Sequence, residues 1–274
     1  MTGAADPRST AGADASRPLA GRHAVVTGGG RGIGLAIAQR LARLGASVSL
    51  LGRDRGRLEA AREAMPAGVD CETRACDVAD PRSVHEAFAG LARDARAVAI
   101  LVNNAGVAQS AKLAATDDAL WQRTLATNLT GTFLCTRAAL PMLLAATPGR
   151  VVNVASTAGL VGYPYVAAYC AAKHGVVGLT RALALELART AVTVNAVCPG
   201  YTDTGLVDEA VANIVRTTGR TEAVARETIV GRNPQRRLVT PDEVASAVAW
   251  LCLPESQSVT GQAIAVAGGE VTTG

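Results

Sequence analysis

Short apolar segments alternate along this chain with longer segments whose apolar residues recur at the period of a helix. Continuous runs of Val, Ile and Leu in the short segments indicate strands that are buried on both faces, as in a parallel sheet. The predicted strands are 22–27, 47–51, 71–76, 98–103, 150–155, 192–197 and 262–267, and helical spacing is clearest in 33–44, 83–92, 118–144 and 167–188. The alternation predicts an α/β fold, a Rossmann-type doubly wound parallel sheet of about seven strands in a single domain.

Two segments depart from this alternation. Residues 1–20 are small, polar and interrupted by prolines, without the apolar stretch of a signal peptide, so we expect a disordered tail there and a domain over 21–274. Residues 201–238 form a long, charged connection that precedes a helix predicted to begin at Pro241, and only 205–215 looks amphipathic. A connection of this length is expected to be a substrate-binding loop, the alternative being a merely solvated one.

The composition narrows the possible partners and compartments. The net charge is +4, but Lys and Arg are scattered rather than collected into the basic stripe that nucleic acids require. We find no apolar run of the roughly 18 residues needed to cross a bilayer, so we expect no membrane span and a cytoplasmic location. Six widely spaced cysteines and three histidines that do not cluster favour free thiols over disulfides, and they favour no metal site.

A glycine-rich turn connects the first predicted strand to a helix. It reads TGGGRGIG over 27–34, with Gly28, Gly32 and Gly34 as the spaced glycines. Such a turn lets the backbone approach a pyrophosphate while the helix N terminus directs N–H groups toward it. The turn is therefore predicted to bind a dinucleotide, although a tight connection without a ligand is the alternative.

The end of the second predicted strand is the position that selects the nucleotide. An acidic residue there would bind the ribose 2′-hydroxyl and repel a 2′-phosphate. This chain has Gly52 at that position, followed by Arg53 and Asp54, and Arg31 of the glycine turn can reach the same region. Two guanidinium groups favour NADP(H) over NAD(H). The alternative is that Arg53 is solvated and Asp54 takes the role of the acid.

Tyr169 and Lys173 lie four residues apart in a segment with helical spacing, so both are expected on one helix face. The neighbouring ammonium favours the phenolate and is expected to lower the tyrosine pKa from about 10 toward neutrality. A tyrosine of that kind can give a proton to a carbonyl oxygen or take one from an alcohol. Taken alone the pair is weak evidence, because its spacing also occurs by chance.

In their order along the chain, these motifs and several others resemble the short-chain dehydrogenase/reductase family. The others are Asp77-Val78 after the third strand, Asn103-Asn104-Ala105-Gly106 after the fourth, Asn128, Ser156 after the fifth, and Pro199-Gly200 after the sixth. The resemblance covers roughly residues 20–270. It implies the cofactor-binding set Gly28, Arg31, Gly32, Ile33, Gly34, Arg53, Asp77, Val78, Asn104, Ala105, Gly106, Lys173, Pro199, Gly200, Thr202 and Thr204, with Asn103 mainly bracing the sheet.

The resemblance also implies a catalytic set. Ser156 would hydrogen-bond the substrate carbonyl, and Tyr169 would transfer the proton. Lys173 would bind the nicotinamide ribose and depress the tyrosine pKa, while Asn128 would hold a water that connects Lys173 to solvent. The plainer alternatives are that Ser156 is a turn serine and that Asn128 satisfies backbone groups.

Within the family, residues 169–200 are similar to 3-oxoacyl reductases and aromatic polyketide ketoreductases, and 239–271 also to 3-hydroxyacyl thioester dehydrogenases. Fatty-acid reductases carry arginines that dock the acyl carrier protein where this chain has Leu134 and Leu185, so carrier-protein docking is doubtful. The apolar residues Leu206, Val207 and Val211 of the long connection, with Tyr163 and Tyr165 before the catalytic tyrosine, suggest a hydrophobic pocket or, alternatively, core packing. The arginines of the connection could bind an anionic group of the substrate or equally be solvated charge; they are Arg216, Arg220, Arg232, Arg236 and Arg237.

We therefore predict an NADP(H)-dependent reductase of a small-molecule ketone or 3-oxoacyl thioester. The resemblance suggests a homotetramer. The alternatives are an NAD(H)-dependent alcohol or 3-hydroxyacyl-CoA dehydrogenase, and a nucleotide-sensing protein without turnover.

Overall fold

The computed structural model describes residues 16–94 and 96–272, and over that range a seven-stranded parallel sheet has the order β3-β2-β1-β4-β5-β6-β7. The strands are β1 (His23–Thr27), β2 (Ser47–Gly52), β3 (Cys71–Ala75), β4 (Val98–Asn103), β5 (Gly149–Val154), β6 (Val192–Pro199) and β7 (Ala263–Val266). The helices are α1 (Gly32–Arg43), α2 (Arg55–Glu63), α3 (Pro81–Arg93), α4 (Asp118–Leu125), α5 (Gly131–Ala145), α6 (Ala167–Glu186), α7 (Gly205–Thr218), α8 (Glu222–Val230) and α9 (Pro241–Cys252). The predicted doubly wound parallel sheet is confirmed.

The central strands are apolar on both faces because each face is covered by helices. In β1, Val26 packs into a core with Ile37 of α1. The preceding residue, Val25, points to the other face of the sheet and packs into a second core with Phe88 of α3. All five β1 residues are buried. The strand order reverses between β1 and β4, which opens a crevice at the carboxyl ends of these strands, where α/β proteins bind ligands.

The long helix predicted over 118–144 is interrupted. A π-helical turn, Ala126–Thr130, separates α4 from α5. The interruption has a local cause, because Asn128 Nδ2 donates to the Thr124 carbonyl at 2.9 Å and to the Val107 carbonyl at 2.9 Å. The Asn128 side chain thus competes with backbone N–H groups for the Thr124 carbonyl of its own helix. It also hydrogen-bonds the π-helical turn to the loop that follows β4.

The long connection over 201–238 is more helical than the sequence indicated. The amphipathic segment expected over 205–215 extends to Thr218 as α7, and α8 was not predicted. Gly219 ends α7 in the left-handed region at φ 68°. Val207 and Val211 of α7 pack against Ala225 and Ile229 of α8. These apolar residues therefore form a small core of their own, which favours the core-packing alternative over a pocket lining.

The predicted N-terminal tail, 1–20, is only partly covered by the structure, because residues 1–15 lie outside the described range. Leu19 is completely buried, and its amide donates to the Leu44 carbonyl at 2.9 Å. The last residues of the expected tail are therefore packed into the fold. Among the described helices, none combines the length and apolar character needed to cross a membrane.

Candidate active site

The four predicted catalytic residues come together at the carboxyl end of β5. Ser156 follows that strand, and Tyr169 and Lys173 lie on the first two turns of α6. Lys173 is buried, and its Nζ donates to the Val154 carbonyl at 2.8 Å. This bond fixes the ammonium between α6 and the end of β5, so it lies 5.6 Å from the centroid of the Tyr169 ring.

The electrostatics of the pair differ from the prediction. Burial raises the pKa of Tyr169 to about 12, although a hydrogen bond shared with the Ser156 hydroxyl acts in the opposite direction. Burial also lowers the pKa of Lys173 from 10.5 to about 8. The expected near-neutral tyrosine pKa is therefore wrong for this structure, because the loss of hydration disfavours both charged forms more than the pair stabilises them. The phenol is held protonated at neutral pH.

Asn128 is completely buried and satisfies backbone groups, as the plainer alternative anticipated. Besides its two donated bonds, its Oδ1 accepts the Val107 N–H at 3.2 Å. A Cβ added at Gly106 would lie 2.8 Å from Asn128 Oδ1 and 3.8 Å from Lys173 Nζ. Asn128 thus positions the Gly106–Val107 segment directly against the Lys173 ammonium.

The glycine turn has the close backbone packing that a dinucleotide cradle requires. Gly28 has a left-handed φ of 64°, and a Cβ added there would lie 2.9 Å from the Ala105 Cα. A Cβ at Gly34 would collide with the Gly28 carbonyl oxygen. Asn104 locks the turn, because its Nδ2 donates to the carbonyls of Thr27 and Gly28 at 3.0 and 3.2 Å. The N terminus of α1 carries no side-chain cap, so its N–H groups are left to an anion.

The residues directly after β2, 53–57, are mostly basic, and the one acidic residue among them, Asp54, is already bonded to Arg57. Asp54 caps α2 by accepting the Arg57 N–H at 3.0 Å, and it pairs with Arg57 Nε at 3.1 Å. This use of the carboxylate disfavours the alternative in which Asp54 binds a ribose. Arg53 is exposed, and a Cβ at Gly205 would lie 3.7 Å from Arg31 Nη1. In the described part of the chain, neither Arg31 nor Arg53 forms an ion pair.

The other predicted cofactor residues lie at neighbouring strand ends. After β3, Asp77 Oδ1 accepts the Ala79 N–H at 3.0 Å, and Val78 is buried against Gly131. After β6, Thr202 Oγ1 donates to the Gly200 carbonyl at 3.0 Å, which shapes the turn that follows Pro199.

Thr204 connects this end of the sheet to the glycine turn. Its Cγ2 would lie 3.2 Å from a Cβ added at Gly32, so the turn before α7 approaches the N terminus of α1. Asn103 braces the sheet, as expected, by donating to Thr136 Oγ1 at 2.9 Å and to Asn153 Oδ1 at 2.8 Å.

Three further residues lie beside this site; Tyr163 and Arg232 were candidates from the sequence, for a hydrophobic pocket and for an anionic substrate group, whereas Glu270 was not predicted. Tyr163 Oη donates to Glu270 Oε1 at 2.8 Å, and the Arg232 guanidinium lies 5.1 Å from the centroid of the Tyr163 ring. Tyr163 could be found as a tyrosine preceding the catalytic pair, and Arg232 as a basic residue of the long connection. Glu270 could not be found from the sequence, because no motif around it indicates a functional residue. It reaches the site only through the position of β7 in the sheet.

The comparisons with known proteins agree with this arrangement. The family model described as short chain dehydrogenase matches residues 22–214. A protein of Streptomyces violaceoruber assigned as ketoacyl reductase 1 of the granaticin polyketide synthase is 42% identical over 258 residues, which cover 93% of each chain. The D-beta-hydroxybutyrate dehydrogenase of Rhizobium meliloti is 38% identical over 90% of this chain and 97% of its own.

A solved structure is also similar along most of the chain. The crystal structure of a variant of the actinorhodin polyketide ketoreductase with NADPH superposes with a TM-score of 0.87 at 40% identity, covering 91% of this chain and 97% of that one. The family match, the identity of the relatives and the shared fold agree with a dinucleotide cradle beside a half-buried tyrosine and a buried lysine. The chain therefore belongs to the short-chain dehydrogenase family, and it is an oxidoreductase that interconverts C=O and CH–OH groups with a nicotinamide cofactor.

Proposed function

We propose that this protein is an NADP(H)-dependent reductase of a 3-oxoacyl thioester or a related ketone, with Tyr169 as the proton donor. The observation that carries the proposal is the placement of Tyr169 beside the buried Lys173, whose Nζ lies 5.6 Å from the centroid of the Tyr169 ring, with the Ser156 hydroxyl close enough to act on the Tyr169 pKa. Two hydroxyls in this arrangement can both donate to one carbonyl oxygen, and a bound nicotinamide supplies the hydride. Donation strengthens as negative charge develops on that oxygen, so it stabilises the transition state more than the ground state.

The protonation state of Tyr169 is compatible with its role as the proton donor in reduction. With a pKa raised to about 12, the phenol holds its proton at neutral pH and can deliver it to the developing alkoxide. Lys173 would then bind the nicotinamide ribose and, through its charge, stabilise the phenolate that remains. Asn128 would fix the segment around Gly106 and hold the water through which the proton is replaced.

The choice of NADP(H) over NAD(H) is supported by the charges around the end of β2. A 2′-phosphate would meet the guanidinium groups of Arg31 and Arg53, which form no ion pair with the described residues, while the carboxylate of Asp54 is engaged by Arg57. A charge-assisted hydrogen bond of this kind contributes about 1.5–3 kcal/mol. Two of them would account for a selectivity of at least about 100-fold.

The substrate class is supported by the names of the relatives, which include the granaticin ketoacyl reductase and the actinorhodin polyketide ketoreductase. Of the two positions compared with the docking arginines, Leu185 on α6 is 81% exposed, whereas Leu134 on α5 is buried and its neighbour Phe133 is 42% exposed. Apolar side chains in these positions suit self-association better than the docking of an acidic carrier protein. We therefore infer a homotetramer that packs through these helices and the edge strand β7.

The experiment is a comparison of kcat/KM for NADPH and NADH with ketones and acyl thioesters as substrates. We expect NADPH to be preferred, and we expect replacement of both Arg31 and Arg53 by Ala to lower kcat/KM for NADPH by about 100-fold with little change for NADH. Arg43→Ala, at the opposite end of α1, is the matched control for the loss of an exposed arginine. Equal kcat/KM values for the two cofactors in the wild type would overturn this assignment.

A second candidate is an NAD(H)-dependent dehydrogenase of a hydroxyacyl compound or alcohol. The observation in its favour is the similarity to D-beta-hydroxybutyrate dehydrogenases, one of them 38% identical. The same assays distinguish it, because this candidate predicts faster oxidation of 3-hydroxy compounds with NAD⁺ than reduction with NADPH.

A further inference from the structure

The segment that follows β7 returns across the carboxyl ends of the strands and places a carboxylate next to the catalytic residues. Tyr163 Oη donates to Glu270 Oε1 at 2.8 Å. The other carboxylate oxygen, Oε2, would lie 2.9 Å from a Cβ added at Gly200. Glu270 is therefore held between the loop before α6 and the end of β6, although it lies 107 residues from its hydrogen-bond partner.

This carboxylate is directly connected to the catalytic centre. Burial raises the pKa of Tyr163, and a hydrogen bond with Thr157, the residue after Ser156, acts against that rise. Tyr163 therefore lies between Glu270, to which it donates, and Thr157 in the turn that carries Ser156. On the other side, Gly200 belongs to the turn predicted to cap the nicotinamide. Glu270 is therefore held between a tyrosine that acts on the turn after Ser156 and the glycine predicted to cap the nicotinamide.

No cation neutralises this carboxylate among the described residues. The nearby Arg232 guanidinium is exposed and lies over the Tyr163 ring, 5.1 Å from its centroid, without forming an ion pair with Glu270. Glu270 is half-buried, so its charge is only partly screened by water. Since charges interact more strongly as water is excluded, a second anion entering the same space would be repelled.

We propose that Glu270, anchored by Tyr163, is a specificity-determining residue that excludes substrates with a carboxylate near the reacting ketone. The inference rests on the proposed function and names its substrate class more closely. A free 3-oxo acid carries a negative charge two carbons from its ketone, whereas an ester or thioester of the same acid is neutral there. A fixed carboxylate in the pocket disfavours the acid and leaves the neutral compounds unaffected.

This discrimination would separate the two kinds of relative that the chain resembles. The granaticin protein is named for a ketoacyl group, while D-beta-hydroxybutyrate, which names the Rhizobium meliloti enzyme, is itself a carboxylate. With Glu270 in place, this chain would act on neutral acyl derivatives or ketones.

The test is the ratio of kcat/KM for ethyl acetoacetate to kcat/KM for acetoacetate, measured with NADPH. Glu270→Gln keeps the size of the side chain and an acceptor for Tyr163 but removes the charge. We expect it to lower the ester-to-acid ratio by roughly tenfold or more, because one like-charge repulsion inside a partly dry pocket is lost. Glu255→Gln is the matched control, because Glu255 is exposed in the 3₁₀ turn Pro254–Ser256, near the opposite ends of the strands, and the variant should leave the ratio unchanged.

Ligand-observed NMR titration of the same two compounds into the NADP-loaded wild type and variants gives the ratio of their binding affinities, which does not depend on turnover. A shifted binding ratio with no reduction of either compound would overturn the proposed function and support the role of Glu270. Reduction of the ester with an unchanged ratio in Glu270→Gln would overturn the role of Glu270 alone. A wild type that prefers the acid, with the preference lost in Arg232→Gln, would also overturn it, since Arg232 would then be an acid receptor.

Discussion

The buried ammonium of Lys173 makes the stability of this protein depend on pH in a specific direction. Lys173 has a pKa of about 8 in the folded chain, lowered by burial from its ordinary value of 10.5. Above about pH 8 the folded protein releases this proton while the unfolded chain still holds it. Because the unfolded state then binds more protons, the free energy of unfolding rises with pH between these two values.

The size of the effect follows from the same two pKa values. Each pH unit in this window contributes about 1.4 kcal/mol, so the rise amounts to about 2 kcal/mol between pH 8 and about 9.5. Lys173→Met removes the titrating group and keeps the length of the side chain. The difference in unfolding free energy between wild type and variant should therefore change by about 2 kcal/mol over this range, in favour of the wild type as pH rises.

Urea unfolding at fixed protein concentration, measured without cofactor at several pH values, gives this difference directly. Taking the difference cancels the titration of every other group. Lys112→Met is the matched control, because Lys112 is the only other lysine in the sequence and is exposed. A wild-type-minus-variant difference that stays flat from pH 7 to about 9.5 would refute the account of a desolvated lysine.

Two further predictions concern the cofactor cradle and the assembly. Gly34→Ala should weaken NADPH binding by at least about tenfold and lower the melting temperature, because the added Cβ has no room beside the Gly28 carbonyl. Leu185→Glu should reduce the mass found by light scattering below four times 27.9 kDa, while Val224→Glu on α8 should not. Unimpaired binding in the first variant, or an intact tetramer in Leu185→Glu, would contradict these two inferences.

The sequence predicted the central strands well because they are buried on both faces, so their apolar runs are nearly continuous. β4 was predicted with its bounds of Val98–Asn103, and β6 differs only in extending to Pro199. By contrast, α2 is highly charged and exposes most of its residues, so it lacks a clear apolar period and was not predicted. The π turn at Asn128 was also missed, because its cause is a contact with Val107, twenty-one residues away in the sequence.

The catalytic pair shows that sequence-based prediction has the same limit for a chemical property, the pKa of Tyr169. Spacing alone places Tyr169 and Lys173 on one face, and the structure brings them together with Ser156. The direction of the tyrosine pKa depends instead on how much water the fold excludes around the pair, which spacing does not encode. Glu270 is a further example, since its proximity to Tyr163 follows from the position of β7 at the edge of the sheet.

The central claim is that Tyr169 gives the proton during carbonyl reduction, and Tyr169→Phe tests it most directly. The measurement is single-turnover oxidation of NADPH by a 3-oxo ester on the enzyme, with NADPH affinity determined on the same preparations. The account predicts an NADPH Kd within about threefold of the wild type and a hydride-transfer rate lower by at least about 100-fold, the usual contribution of a general acid. A rate close to that of the wild type would contradict it.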